Sequence, residues 1–212
     1  MEENTHEFKV QKTVRYSTMG DPKKAEHLII ALHGYGQLSP YFVRKFRGLD
    51  PSTYYVVCPE GLHRFYLSGT SGRVGASWMT KEARESDIQD YLNYLDQLMD
   101  QLTAQHTFKN MTLLGFSQGG ATASRWIAYG QHQFNRFLLW AAVFPPDMNP
   151  DFIPRFNGSK NYWVIGTADE FIDENKANEY FQSLQNQLKQ VEFVKFDGKH
   201  DIHLETLKGL LS

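Results

Sequence analysis

The chain has 212 residues, enough for one substantial core, and its 41% hydrophobic and 14% aromatic content excludes a disordered or low-complexity protein. Lys and Arg number 22 against 24 Asp and Glu, so the formal net charge of -2 leaves no electrostatic footprint for nucleic acid or an anionic membrane surface. Cys58 is the single cysteine, which excludes an intramolecular disulfide and a multi-cysteine zinc site, and no apolar run reaches the roughly eighteen residues of a membrane span.

The first residues, Met-Glu-Glu-Asn-Thr-His-Glu, carry acidic side chains and no apolar signal-peptide core, which predicts a soluble cytoplasmic protein. Asn110-Met-Thr and Asn157-Gly-Ser fit the glycosylation pattern and, without a secretion signal, are read as chance. One domain over 1–212 is expected from the length and the absence of linkers, repeats and low-complexity tracts. No feature specifies a partner protein or an oligomeric state.

In chain order, residues 6 to 18 alternate loosely through Phe8, Val10, Val14 and Tyr16, then turn at Gly20-Asp-Pro22, which predicts an edge strand or hairpin. His27 to Leu32 is a continuous apolar run, the pattern of a strand buried on both faces, and it leads directly into the glycine-flanked loop His33-Gly-Tyr-Gly36. Tyr41 to Phe46 reads as helical and Tyr54 to Cys58 as another buried strand, closed by Pro59-Glu-Gly61. Cys58 within it is a small apolar core residue. From 62 to 80 no period dominates and an irregular excursion is expected, with Phe65 and Trp78 as candidates to line a pocket.

From Ser86 to Gln105, Ile88, Leu92, Leu95, Leu98, Met99 and Leu102 recur at helical spacing, which predicts a helix covering the sheet. Met111 to Leu114 is a short apolar strand, followed by Gly115-Phe-Ser-Gln-Gly119 and a helix from about Gln118 to Tyr129, closed by Gly130. Arg136 to Val143 supplies a further strand. The proline-rich Phe144 to Pro150 cannot continue it, so Phe144, Phe152 and Phe156 overhang the same edge as pocket candidates. Lys160 to Thr167 is a strand, Asp173 to Leu188 a helix, Val191 to Phe196 a strand, Asp197-Gly-Lys-His200 a turn, and about Ile202 to Leu211 a final helix. This alternation predicts an α/β protein with a mostly parallel central sheet and helices on both faces.

Gly115, Ser117 and Gly119 match G-x-S-x-G, the spacing of a nucleophile elbow. A serine at the apex of a strained strand-to-helix turn exposes its hydroxyl at the sheet end, and a side chain at either flanking glycine would collide with backbone. Glycine and serine are also ordinary turn and capping residues, so the context decides. A serine becomes a useful nucleophile only when an imidazole takes its proton, and a carboxylate must hold that imidazole in the right tautomer. Chain order assigns His200 as base and Asp169, at the C-terminal end of its strand, as acid. Glu170 and Asp173 are rival acids, although Asp173 also suits a helix cap. His203 is the rival base, in the first turn of the last helix. His33, ahead of the elbow in sequence, suits tethering its loop. The oxyanion of an acyl-transfer intermediate would rest on the backbone N–H groups of Tyr35 and Gln118.

Leu32-His-Gly-Tyr-Gly36, Gly115-Phe-Ser-Gln-Gly-Gly-Ala121, Gly166-Thr-Ala-Asp169 and Gly198-Lys-His-Asp-Ile202 with Glu205 resemble the phospholipase/carboxylesterase family, which includes acyl-protein thioesterases. Trp78 resembles an aromatic that family carries at this point. The resemblance covers nearly the whole chain. It implies an α/β-hydrolase fold with little or no cap domain, no cofactor, and a small-molecule carboxylic ester or thioester as substrate; short to medium acyl chains are the leading expectation, and His200 and His203 lack the third-ligand motif of a metal site. The nucleophile, acid and base then fall on Ser117, Asp169 and His200. Phe171, just after the acid, joins the pocket candidates.

Two departures stand out. Gln37 follows Gly36 where many members carry an acidic residue, which bears on loop anchoring. Glu170-Phe-Ile172 follows Asp169 in place of a proline-containing segment, which bears on pocket shape. A non-catalytic small-ligand-binding protein and a serine peptidase are the alternative readings.

Overall fold

The computed structural model describes residues 2–172 and 174–212. Among them, seven strands form one sheet in the order β1-β3-β2-β6-β7-β8-β9, with β1 (Tyr16–Met19), β2 (His27–Leu32), β3 (Tyr54–Pro59), β6 (Asn110–Phe116), β7 (Arg136–Trp140), β8 (Lys160–Gly166) and β9 (Val191–Phe196). All pairings are parallel except β1 with β3. The strands are apolar on both faces because both faces are covered. Successive residues of β2 show this: Leu28, Ile30 and Leu32 enter one core, Ile29 and Ala31 the other.

The first core is roofed by α2 (Arg84–Gln105), α3 (Gln118–Tyr129) and α4 (Glu174–Gln187). The second lies under α1 (Ser39–Phe42), the 3-10 turn Val43–Phe46 that continues it, and α5 (Leu204–Leu211). Helix α2 buries the stripe its sequence predicts, Ile88, Leu92, Leu95, Leu98, Met99 and Leu102, together with Tyr91. It also buries Asp96, whose Oδ1 accepts the indole N–H of Trp126 on α3 at 2.7 Å and stitches the two helices together.

Several expected boundaries change for physical reasons. The alternation from 6 to 18 yields only β1. β1 is an edge strand paired with β3, and the residues ahead of it form no strand among the described residues, with Phe8 and Val10 exposed. The strand expected to reach Val143 ends at Trp140, because Ala141 turns to φ 47° while donating its N–H to the Val164 carbonyl. The stretch 62–80 is not irregular throughout. It contains an antiparallel hairpin, β4 (His63–Tyr66) with β5 (Val74–Ser77). Strands of four residues are too short to show a period, and part of their order comes from outside the hairpin, where Gln37 bridges Ala76. The proline-rich stretch after β7 includes a 3-10 segment, Pro150–Gly158, with the Asn149 side chain capping it. Asp173, the expected start of the α4 helix and a rival acid, lies outside the described residues.

Candidate active site

Parallel strands carry their following loops to one edge, and Ser117, the loop at 33–37, Asp169 and His200 leave the sheet there. Ser117 follows the central β6, the loop at 33–37 follows its neighbour β2, Asp169 follows β8 and His200 follows β9.

Ser117 has φ 53° and ψ -121°, a conformation an L-residue holds only under constraint. The constraint is visible on both sides. Its N–H donates to the Trp140 carbonyl at 3.0 Å and its carbonyl accepts from Gly120 N–H at 2.9 Å. A Cβ on Gly115 would meet the Gly119 carbonyl oxygen at 2.5 Å, and one on Gly119 would meet the His33 carbonyl oxygen at 2.7 Å. The two glycines are therefore steric requirements of the turn.

Asp169 and His200 meet, with the His200 Nδ1–H donating to Asp169 Oδ2 at 2.8 Å and the carboxylate fully buried. The other carboxylate oxygen, Oδ1, accepts the backbone N–H of Phe171 at 2.9 Å and of Ile172 at 3.3 Å. One buried side chain thus fixes both the imidazole and the turn beside it. The loops after β8 and β9 are zipped by Thr167 N–H to the Phe196 carbonyl and Ala168 N–H to the Gly198 carbonyl, at 2.9 and 2.8 Å. Gly166 permits this approach, since a Cβ there would lie 2.6 Å from the Lys199 carbonyl oxygen.

The His200 ring lies against Phe116, the residue before the serine, with centroids 4.9 Å apart. Among the described residues Ser117 Oγ makes no hydrogen bond to His200. Nucleophile and base are often apart in free enzymes and close up around substrate.

Glu170 does not engage the His200 ring. Its exposed carboxylate accepts the His200 backbone N–H at 3.4 Å and, held mainly by backbone N–H groups, ionises below the usual range. His203 is one residue ahead of α5, at its N-cap rather than in its first turn. Its Nδ1 accepts from the Thr206 hydroxyl at 2.8 Å and its ring stacks on Phe196.

His33 is wholly buried, and both ring nitrogens are used: Nδ1–H donates to the Gly34 carbonyl at 2.7 Å and Nε2 accepts from Gly61 N–H at 2.9 Å. Those partners define the neutral tautomer, and burial lowers the tendency of the ring to take a second proton. The loop that follows is held at several points. Gln37 Oε1 accepts the Gly34 N–H at 3.0 Å, so the residue that departs from the acidic pattern still supplies an acceptor oxygen. Gly36 N–H donates to the Ala76 carbonyl at 2.9 Å. Between them the Tyr35 N–H has no acceptor among the described residues, and Gln118, first residue of α3, has no preceding helical carbonyl for its own N–H. Two backbone donors therefore stand at the ends of neighbouring strands, Tyr35 after β2 and Gln118 after β6.

The pocket candidates separate. Phe171 is 72% exposed and lies with its ring 4.6 Å from that of His200. Phe65, half-buried on β4, lies with its ring tilted against that of Tyr35, centroids 5.0 Å apart. Trp78 and Phe144 are core residues instead. Trp78 has no exposed surface and donates its indole N–H to the His33 carbonyl at 2.8 Å, while Phe144 packs on Phe156. Phe156 is buried as well, and Phe152 packs on Tyr129.

Two supports were missed in the sequence. Trp140, at the end of β7, donates its indole N–H to the Asp201 carbonyl at 2.9 Å and so holds the His200 loop from beneath. Glu60, read only as a strand end, is buried and accepts from Arg15, Arg64 and the Ser39 N–H at 2.7, 2.6 and 3.1 Å, anchoring the segment next to Gly61. A carboxylate directly after a buried strand was the available signal for Glu60.

The sheet order and the strained serine turn define a protein of the α/β-hydrolase fold. Solved structures share it: maize (Zea mays) acyl-protein thioesterase 2 is 16% identical, covering 92% of this chain and 95% of that one with a TM-score of 0.68. Esterase PE8 is 19% identical, covering 94% and 98% with a TM-score of 0.68, and Arabidopsis thaliana SOBER1 is 21% identical, covering 87% and 95% with a TM-score of 0.63. No curated protein matches the chain in sequence. Residues 23–203 match the FSH1 serine hydrolase family, and the chain belongs to that family. No helix among the described residues is long and apolar enough to cross a membrane.

Proposed function

We propose that this serine hydrolase cleaves carboxylic esters, and thioesters by the same steps, of short to medium acyl chain, as a single domain working in the cytoplasm. Ser117 Oγ attacks the carbonyl carbon while His200 Nε2 takes its proton. Asp169 holds the Nδ1–H and stabilises the imidazolium. The oxyanion is received by the N–H groups of Tyr35 and Gln118, a pair of donors each of which is worth about 2.7 to 4 kcal/mol of barrier in comparable sites. His200 then gives the proton to the departing oxygen or sulfur, leaving an acyl-Ser117 ester. Water, deprotonated by His200, releases the acid.

The observation that carries this reading is the pairing of a buried Asp169 with His200 at 2.8 Å on the edge where Ser117 is held in a strained turn. A fold that only bound ligand would have no need of either. What supports the short to medium acyl range is the exposed Tyr35 on the loop after β2, with the half-buried Phe65 ring 5.0 Å from its own, a small apolar surface suited to a few methylenes.

The test is a panel of p-nitrophenyl esters of graded chain length run beside acyl thioesters. Turnover is expected to peak at short to medium chains and to fall by roughly a factor of 10,000 or more in Ser117→Ala. Turnover that survives Ser117→Ala would overturn the assignment.

A further inference from the structure

His200 lies between two aromatic rings of opposite character. Phe116 is buried, 2% exposed, and can touch nothing but protein. Phe171, equally close to the imidazole, is 72% exposed. Leaving a phenyl ring in water forfeits the gain from burying it, and nothing in the packing of the core requires Phe171 to stand there. Yet the turn that carries it is fixed, because Asp169 Oδ1 accepts the N–H groups of both Phe171 and Ile172. The ring therefore projects from an anchored backbone, edge-on to the His200 ring at 4.6 Å, with its surface open.

The geometry of acyl transfer says what that surface faces. In the tetrahedral intermediate the carbonyl oxygen points to the backbone donors and the leaving atom must lie by His200, because His200 supplies the proton as the carbon–oxygen bond breaks. Proton and electrons balance: Ser117 Oγ forms the new ester bond, and its proton passes through His200 to the departing oxygen. Whatever is attached to that oxygen leaves past the imidazole. The acyl chain extends in the remaining direction.

We propose that Phe171 is the leaving-group platform of this site, and that the leaving group it selects is a flat, apolar one, an aryl or fused-ring alcohol stacked on its ring. This rests on the serine-hydrolase mechanism above and adds the half of the substrate which that mechanism leaves open. Offset or edge-to-face aromatic contact is the favoured geometry for such a pair. The platform stands where the segment after the acid departs from the proline-containing pattern of the resembling family.

The experiment compares butyrate esters of 2-naphthol and of ethanol on wild type, Phe171→Ala and Phe171→Trp. Differences in leaving-group reactivity cancel when each variant is divided by wild type. Phe171→Ala is expected to lose roughly tenfold more kcat/KM on the naphthyl ester than on the ethyl ester, mainly through KM, while Phe171→Trp keeps the discrimination. The midpoint of the kcat/KM pH profile is expected to stay in place. An equal loss on both esters, with a moved pH midpoint, would show a ring that only positions His200 and would overturn the platform, as would no loss on either. Titration with a fluorophosphonate separates the two levels. Folded wild type that takes no label overturns the mechanism and the platform with it, whereas a labelled Phe171→Ala that discriminates like wild type overturns the platform alone.

Discussion

Ser117 carries backbone strain, φ 53° with ψ -121°, of a kind that costs of order 1 to 3 kcal/mol and persists only where the surroundings enforce it. The enforcing contacts come from Trp140, Gly120 and the two glycines, none of which needs the serine side chain. The strain serves the direction in which the hydroxyl points. The two histidines near the chain end show the same economy of place. His200 has its Nδ1–H on a buried carboxylate, whereas His203 caps α5 and stacks on Phe196. His200→Ala should cut kcat about a thousandfold or more, while His203→Ala should keep most of the activity and cost about 1 kcal/mol of stability through the lost cap. Steady-state kinetics and urea denaturation of both variants check this, and a reversal would move the base to position 203.

At the scale of elements, the loop from His33 to Leu38 is the best test of how secondary structure supports chemistry. It is bound by ring nitrogens of His33, by the Gln37 side chain and by the hairpin through Ala76. Gln37→Ala removes the acceptor for the Gly34 N–H, and kcat should fall about tenfold with little change in KM. Gln37→Glu keeps an acceptor oxygen at that place and should retain activity within a few-fold. The kinetics of the two variants decide between an anchoring role and none. This loop also marks the limit of legibility. Its glycines, its place after β2 and the candidacy of the Tyr35 N–H follow from residue order. The Gln37 to Ala76 bridge does not, because it joins residues 39 positions apart through backbone groups that carry no sequence identity. The hairpin itself was hidden for the same reason. Trp78 was misplaced because an aromatic in a glycine-rich stretch looks available to ligand until its indole N–H is seen on the His33 carbonyl.

At the scale of the whole molecule, the sheet was the most legible feature, since apolar runs such as His27–Leu32 and Arg136–Trp140 announce strands buried on both sides. Its mostly parallel character followed from the strand-helix alternation, whereas the pairing order, which brings Asp169 and His200 together from 31 positions apart, was not written in the apolar runs themselves. Burial of titratable groups within it sets a pH dependence. His33 is depressed by burial, and His27, at the start of β2, by burial and then by Arg136. In the unfolded chain both rings take protons near pH 6.5, in the folded protein only at lower pH. Below about 6.5 the unfolded state therefore binds more protons, so stability falls as pH drops, and none of this loss is present above that range. Urea midpoints should decline from pH 7.5 to pH 5, and His27→Gln should flatten part of the decline. A midpoint that rises on acidification through this window would contradict it.

Identification of the residue modified by a fluorophosphonate, by mass spectrometry of the digested protein, bears most directly on the convergence of Ser117, Asp169 and His200. One adduct is expected, on the Ser117 hydroxyl, lost in Ser117→Ala and formed far more slowly in His200→Ala. An adduct on another residue, or none on folded wild-type protein, would contradict that convergence.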